Sequence, residues 1–242
     1  IAEPVMGAGG VIVPPKTYFE KIQAVLKKYD VLMIADEVIC GFGRTGNMWG
    51  SQTFGIKPDI LTCAKALSSA YLPISAVMIS EEIFQGLRGN SEKLGLFGHG
   101  YTYSAHPACA AVAVRTQELM QERDIIGHVK AVSPHFQNRI ATLGDHAMVG
   151  QARGVGLIGA VEIVADKASK RSYDPAAKVG ALIQNAAQEH GLITRAMPGD
   201  ILGFCPPLII SPSEIDEMFD RFTRALDETE MQLKQQGASA AQ

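Results

Sequence analysis

The sequence has 242 residues, with 22 Lys+Arg against 25 Asp+Glu and a formal charge of −3, a size that suits one large domain or two ordinary ones. Its 47% hydrophobic and 19% charged residues exclude an intrinsically disordered chain. With no cluster of Lys and Arg it offers no general attraction for nucleic acid or anionic lipid, and no uncharged run approaches the roughly 20 residues of a membrane span.

The chain opens on Ile1, without a basic n-region or cleavage site, as though it continues something longer. Between Lys16 and Tyr29 the apolar residues Tyr18, Phe19, Ile22, Val25, Leu26 and Tyr29 recur at spacings of three and four, which predicts an amphipathic helix. Three apolar runs, Val31–Ala35, Ile60–Cys63 and Ser75–Ile79, predict buried strands, so helix and strand alternate as in an α/β layer with a parallel sheet. The Ala- and Val-rich run from Ala105 to Gln121 predicts a long helix buried on most sides.

After Asp124 the pattern changes to a polar helix through Leu143 and a glycine-punctuated strand from Val155 to Ile163. A helix from about Ala176 to His190, short strands around Leu192 and Leu202, and a closing helix from Pro212 past Leu233 follow, the last capped by Ser211 or Ser213. We therefore expect two domains, residues 1–124 and 125–242, and a frayed tail at Gly237–Gln242. The cysteines Cys40, Cys63, Cys109 and Cys205 form no C-x-x-C pair and read as buried free thiols of a reducing cytoplasm.

Asp36-Glu37 stands where the most apolar strand ends, the edge at which open parallel sheets bind ligands. Three roles compete for these acids: a metal pair, a helix cap, or a carboxylate facing a cofactor cation. The metal pair of a nucleotide hydrolase also needs G-x-x-x-x-G-K-[ST], which the sequence lacks. Gly41-Phe-Gly43-Arg-Thr-Gly46 satisfies G-x-G-x-x-G, yet no helical periodicity follows it and no ribose-binding acid stands about 20 residues on, so it reads as a glycine-rich loop. Lys65 follows a strand among small and apolar residues, where desolvation would turn an ammonium into a nucleophile, the alternative being a lysine that snorkels to the surface. Together with Asp36 it suggests a lysine Schiff base beside an acid that keeps a pyridinium nitrogen protonated.

The strings Glu3-Pro-Val-Met-Gly-Ala-Gly-Gly10, Ile34-Ala-Asp-Glu-Val-Ile-Cys-Gly-Phe-Gly-Arg-Thr-Gly46, Lys57-Pro-Asp59, Ala64-Lys-Ala-Leu67 and Gly100-Tyr-Thr-Tyr-Ser-Ala-His-Pro107 together resemble the class III pyridoxal-phosphate aminotransferases, in family order across nearly the whole chain. The resemblance implies an α/β fold of type I, with part of a mostly parallel large-domain sheet and a small C-terminal domain. It implies pyridoxal 5'-phosphate as cofactor, with Lys65 as the Schiff-base lysine and proton shuttle, Asp36 on the pyridine nitrogen and Val38 against one ring face. Thr102 matches the residue that reaches the cofactor phosphate of a neighbouring subunit, which implies a homodimer.

Substrate choice follows from two departures. Members acting on glutamate or ornithine resemble D-E-[IV]-Q-T-G and carry an arginine two residues before a C-P-P-L-like segment; here Ile39 and Gly203 stand at those places. Gly191-Leu-Ile-Thr-Arg195-Ala instead resembles the amine–pyruvate, or omega-aminotransferase, branch, in which an arginine at the place of Arg195 pairs with a substrate carboxylate. The expected substrates are thus a small-molecule amine or omega-amino acid and a keto acid, pyruvate above all, with neither nucleic acid nor membrane as partner. Arg153 reads as structural, His99 and His106 flank the phosphate loop, Trp49 lines a pocket or fills a loop, and no histidine shows metal-ligand spacing. The alternative from another class is a catalytically incomplete fragment acting as a structural or interaction remnant, because the family's Gly-Ser phosphate turn and its ring-stacking aromatic precede the Glu-Pro motif.

Overall fold

The computed structural model describes residues 1–240, with side chains through residue 235. The chain divides into two compact units, Ile1–Val5 with Pro14–Ile126, and Met6–Val13 with the residues from Gly127 onward.

In the first unit the predicted amphipathic helix is α1 (Tyr18–Lys28). Strand β1 (Ile34–Asp36) leads through α2 (Gly50–Phe54) to β2 (Ile60–Cys63), and β3 (Ala76–Ile79), α3 (Glu81–Leu94) and α4 (Pro107–Glu122) follow. The sheet order is β1-β2-β3. β1 and β2 are parallel, with Asp36 opposite Thr62, whereas β2 and β3 are antiparallel. A parallel bridge from Ala2 to Ala35 extends the β1 side. Phe19, Met33 and Ile56 form a small core, joined by Ala2, Leu26 and Phe54.

Several expectations for this unit are corrected. Val31 and Leu32, expected in a strand, precede β1 and are exposed, because only from Met33 onward does the chain bond to the Asp59–Cys63 segment. All four residues of β3 are exposed, not buried, since β3 is an edge of its sheet. Helix α4 buries only Ala113, Thr116 and Met120, a single stripe of its surface. Its Ala and Val content gave no period from which that stripe could be read.

The second unit carries α5 (Ile125–Leu143), whose first two residues fall in the first unit, then β4 (Val149–Val155), β5 (Ile158–Ile163), α6 (Val179–Glu189), β6 (Arg195–Met197), β7 (Ile201–Phe204) and α7 (Pro212–Ala240). The four strands are antiparallel in the order β4-β5-β7-β6. Where the sequence predicts one strand from Val155 to Ile163, a hairpin stands: Val155 pairs Ile158 across two residues, and Gly156 (φ 59°) supplies the positive φ that such a turn demands. The strand expected around Leu192 lies later, at Arg195–Met197.

On α7 the buried residues Ile215, Phe219, Phe222, Leu226 and Thr229 recur at helical spacing. Phe219 meets Phe136 at 5.4 Å and Phe204 at 5.1 Å, and Phe204 meets Phe222 edge-on at 4.8 Å, distances typical of favourable aromatic packing. Ser211 caps the helix: its Oγ accepts from Glu214 N while Glu214 Oε2 accepts from Ser211 N at 2.8 Å, a capping box. α7 stays helical to Ala240, and the expected frayed tail otherwise falls on residues 241–242, outside those described. None of the four cysteines forms a disulfide, and only Cys40 and Cys63 are buried; Cys205 is exposed. No helix among the described residues is long and apolar enough to cross a membrane.

Candidate active site

The site begins at the carboxyl edge of the parallel pair. Adjacent strands lie about 4.8 Å apart, so the register Asp36↔Thr62 sets Asp36 at the end of β1 beside the end of β2, three residues before Lys65. Asp36 is half-buried; its N–H donates to Ala2 O at 2.9 Å and its Oδ1 accepts from Val38 N at 3.1 Å. Oδ2 has no hydrogen-bond partner among the described residues. This leaves a carboxylate with one oxygen held by the backbone and one open to a cationic N–H.

The neighbouring acid does something different. Glu37 is fully buried, and its carboxylate accepts from Gly50 N at 2.8 Å, Ser51 N at 2.6 Å and Ser51 Oγ at 2.5 Å, at the start of α2. Of the three roles open to the acid pair, helix capping falls to Glu37. Its backbone N–H donates to Thr62 O, and its carbonyl accepts from Gly41 N at 2.8 Å. Gly41 is required there, because a Cβ would lie 2.7 Å from Glu37 O and 2.9 Å from the Trp49 ring. Trp49 packs on Phe42 at 4.9 Å and fills the glycine-rich loop. Val38, the residue after Glu37, is half-buried.

Lys65 opens the 3-10 turn Lys65–Leu67 with φ 44°, followed by Ser69 (φ 48°) and Ala70 (φ 61°). Left-handed backbone at residues other than glycine is strained, and such strain gathers at functional sites. The side chain is exposed and has no partner among the described residues, so the expectation of a lysine desolvated by its neighbours does not hold for the residues described. Its small neighbours permit the turn without covering the ammonium. Buried Cys63, two residues earlier, has its thiol pushed up by burial, against the hydrogen bond of the Ala76 backbone and with a further rise from the Glu37 charge. It therefore stays protonated and is no rival nucleophile.

Thr102 lies in the exposed turn 101–105, where Ser104 N donates to Tyr101 O and Ser104 Oγ accepts from Tyr101 N. His106 accepts from Ala108 N through Nδ1 and so caps α4, while His99 sits between Phe97 and Tyr101 at 5.9 and 6.0 Å. In the second unit Arg195 is exposed on the edge strand β6, directly opposite Gly203 of β7. Arg153 is structural as expected: it donates to Gly10 O and Val11 O and pairs with Glu162 at 2.7 Å, which ties residues 6–13 to this unit.

Asp36, Val38 and Lys65 thus share one sheet edge, and Thr102 lies on the loop before α4. The donor set fits a phosphorylated pyridine aldehyde: an amine for the aldehyde carbon, an acid with a free oxygen for the ring nitrogen, and an apolar β-branched side chain two residues beyond the acid. Sequence reasoning missed the division of labour between Asp36 and Glu37. It also missed Gln117, whose Nε2 donates to Leu67 O at 3.0 Å. An acid beside Asp36 at the end of an apolar strand was the only signal for Glu37; a lone glutamine on a helix gave none.

Against known proteins, the family model described as "Aminotransferase class-III" matches residues 1–226. The chain is 48% identical to gamma aminobutyrate transaminase 1, mitochondrial, of Solanum lycopersicum, over 97% of this chain and 45% of that protein. A solved structure titled as a transaminase with L-ala matches at TM-score 0.93 and 52% identity, over 96% of this chain and 55% of that one. The omega transaminase of Pseudomonas jessenii in complex with PMP matches at TM-score 0.91 and 51% identity, over 94% and 50%. The chain spans about half the length of the curated relatives it matches.

Proposed function

Since the chain belongs to the class III aminotransferases, of fold type I, we propose that it supplies the lysine-bearing part of a transaminase site that moves an amino group from an amine or omega-amino acid to a keto acid. Pyridoxal phosphate is the cofactor of this family and, when bound, supplies an electron sink for the negative charge left on the substrate carbon. The observation that carries the reading is the β1–β2 register, which sets Asp36 and Lys65 at one sheet edge.

Lys65 is the covalent attachment point. Once freed by the amine substrate, its Nζ would take the proton from the substrate Cα as general base and, as general acid, give it to the carbon that was the cofactor aldehyde. Asp36 Oδ2 would accept the pyridine N–H and so favour the protonated ring. Val38 packs against the ring. Thr102 serves the phosphate of a second copy, so the working form is a homodimer. Cysteines outside any disulfide suit a reducing compartment such as the cytoplasm.

Arg195 is proposed to bind the keto acid carboxylate, with pyruvate as acceptor. Its place opposite Gly203 supports this, since a side chain on β6 can serve the face that an arginine on β7 serves in glutamate-type relatives. Arg195→Ala should raise KM for the keto acid more than for a neutral amine. Equal losses for both would remove the assignment.

Titrating the purified chain with pyridoxal phosphate and following the absorbance of the attached cofactor tests the reading. Lys65→Ala should abolish the signal and all transamination. A second reading, a catalytically incomplete piece with a structural or interaction role, is favoured by the exposure of Lys65 and Thr102 and by coverage of half the relatives' length. A flat spectrum with the unaltered chain selects it.

A further inference from the structure

We propose that Gln117 is a positioning residue for Lys65, fixing the lysine turn to α4; this rests on the reading of Lys65 as the attachment point. The turn is strained, with three residues other than glycine at positive φ between Lys65 and Ala70. Most of what sustains it is internal: Leu67 N donates to Ala64 O at 3.0 Å, Ser68 N and Ala70 N donate to Lys65 O at 3.2 and 3.3 Å, and buried Ser68 donates through Oγ to Leu72 O at 2.7 Å. Such bonds set the shape of the turn without setting its orientation.

Among the described residues, the one side chain from outside the turn that hydrogen-bonds to it is Gln117, fifty residues on. Packing on the α4 side of Leu67 is open. Leu67 faces Ala113, Val114 and Gln117 across an open groove of about 350 Å³, so the turn has room to swing once Leu67 O loses its donor. The same helix begins at Pro107, just after the turn that carries Thr102. Gln117 lies ten residues further along, about 15 Å at helical rise. One rigid helix therefore holds the loop of Thr102 at its end and the turn of Lys65 along its length.

The test uses the full chain and pyridoxal phosphate as probe, with borohydride trapping and site-resolved mass spectrometry, exposed Lys28 and Lys93 being internal references. Gln117→Leu and Gln117→Glu both remove the donor, whereas Gln117→Arg keeps one. Trapping at Lys65 should fall about fivefold in the Leu and Glu variants, the factor a single net hydrogen bond supplies, with the references unchanged and the Arg variant restored toward the original rate. Amide exchange across residues 64–72, measured without pyridoxal phosphate, should quicken in the same two variants. Faster exchange with unchanged trapping makes Gln117 merely structural, and no change in either measurement removes its hold on the turn; both outcomes overturn the proposal. If Lys65 in the unaltered chain is trapped no faster than Lys28 and Lys93, the attachment reading is what fails, and the exchange data alone decide whether Gln117 holds the turn.

Discussion

The two units bury different things. In the second, the largest fully buried side chains are Phe136, Phe219, Phe222, Ile140, Leu157, Ile163, Ile183, Leu202, Ile215 and Leu226; in the first they are Glu37 and Val5. The first unit has only a small apolar core around Phe19, Met33 and Ile56, and its largest fully buried side chain is a hydrogen-bonded carboxylate. The first unit also exposes Val77, Met78 and Ile79 on β3, and Leu96, Phe97, Tyr101 and Tyr103 in the loop before α4. The residues proposed for chemistry, Asp36, Val38, Lys65 and Thr102, all lie in this polar-anchored unit. There backbone hydrogen bonds and a buried acid place side chains with less help from packing. Precision by hydrogen bonding suits a site whose groups must stay open to a ligand, because a filled apolar core leaves no reachable polar atom.

The sharpest way to break the comparison is Phe219→Ala. It deletes a ring that touches Phe136 and Phe204, and should cost about 3–5 kcal/mol in denaturant unfolding followed by circular dichroism. Phe97→Ala in the first unit should change stability by no more than about 0.5 kcal/mol. Equal losses would mean that exposure in the first unit is not what distinguishes it.

Next comes Glu37→Ala, which strands Gly50 N, Ser51 N and Ser51 Oγ and should cost about 3 kcal/mol in total. Trp49, the single tryptophan, adjoins this cap, so its fluorescence transition should move to lower denaturant. An unmoved transition would deny the carboxylate its anchoring role. Arg153→Ala should cost about 2 kcal/mol and render Met6–Val13 susceptible to limited proteolysis. Arg153→Lys should recover only part, since an ammonium lacks the guanidinium fork that reaches Gly10 O, Val11 O and Glu162 together.

The smallest effect is the pH response of the α7 cap. The Ser211 backbone N–H, and then its hydroxyl, hold the Glu214 carboxyl below the usual carboxylate range. A depressed folded-state pKa adds stability that is fully present above the unfolded value and is lost as pH falls through the folded one. Acidification should therefore loosen the first turn of α7, seen as faster amide exchange near Ser213–Ile215. Ser211→Ala should only lessen that pH response, because the backbone N–H, the larger of the two contributions, remains.

How much was legible without coordinates differs from element to element. α1, β2, the start of α7 and the Ser211 cap follow from periodicity and end signals, because those depend on residues close in the chain. The hairpin at Gly156 was missed because β4 is broken by glycines and an arginine, Gly150, Arg153 and Gly154, so no apolar alternation marks it. β3 looked buried because an apolar run has the same composition at a sheet's edge as at its centre. The candidates Asp36, Val38, Lys65 and Thr102 rest on their motifs, whereas the Gln117 bond to the lysine turn has no motif, since its partner is a backbone carbonyl fifty residues away.

By itself, then, the sequence determined the family resemblance, the candidate lysine and acid, and the order of helices and strands, all of which are local strings or local periods. Only the tertiary structure decided that Glu37 caps α2 while Asp36 keeps an oxygen free, that Arg195 faces Gly203 across a strand pair, and that the lysine turn is strained and receives a hydrogen bond from α4. Each of these depends on which backbone groups meet across long stretches of chain. Hydrogen bonds are satisfied in space, whereas the periodicity of a sequence records only which face of an element is apolar.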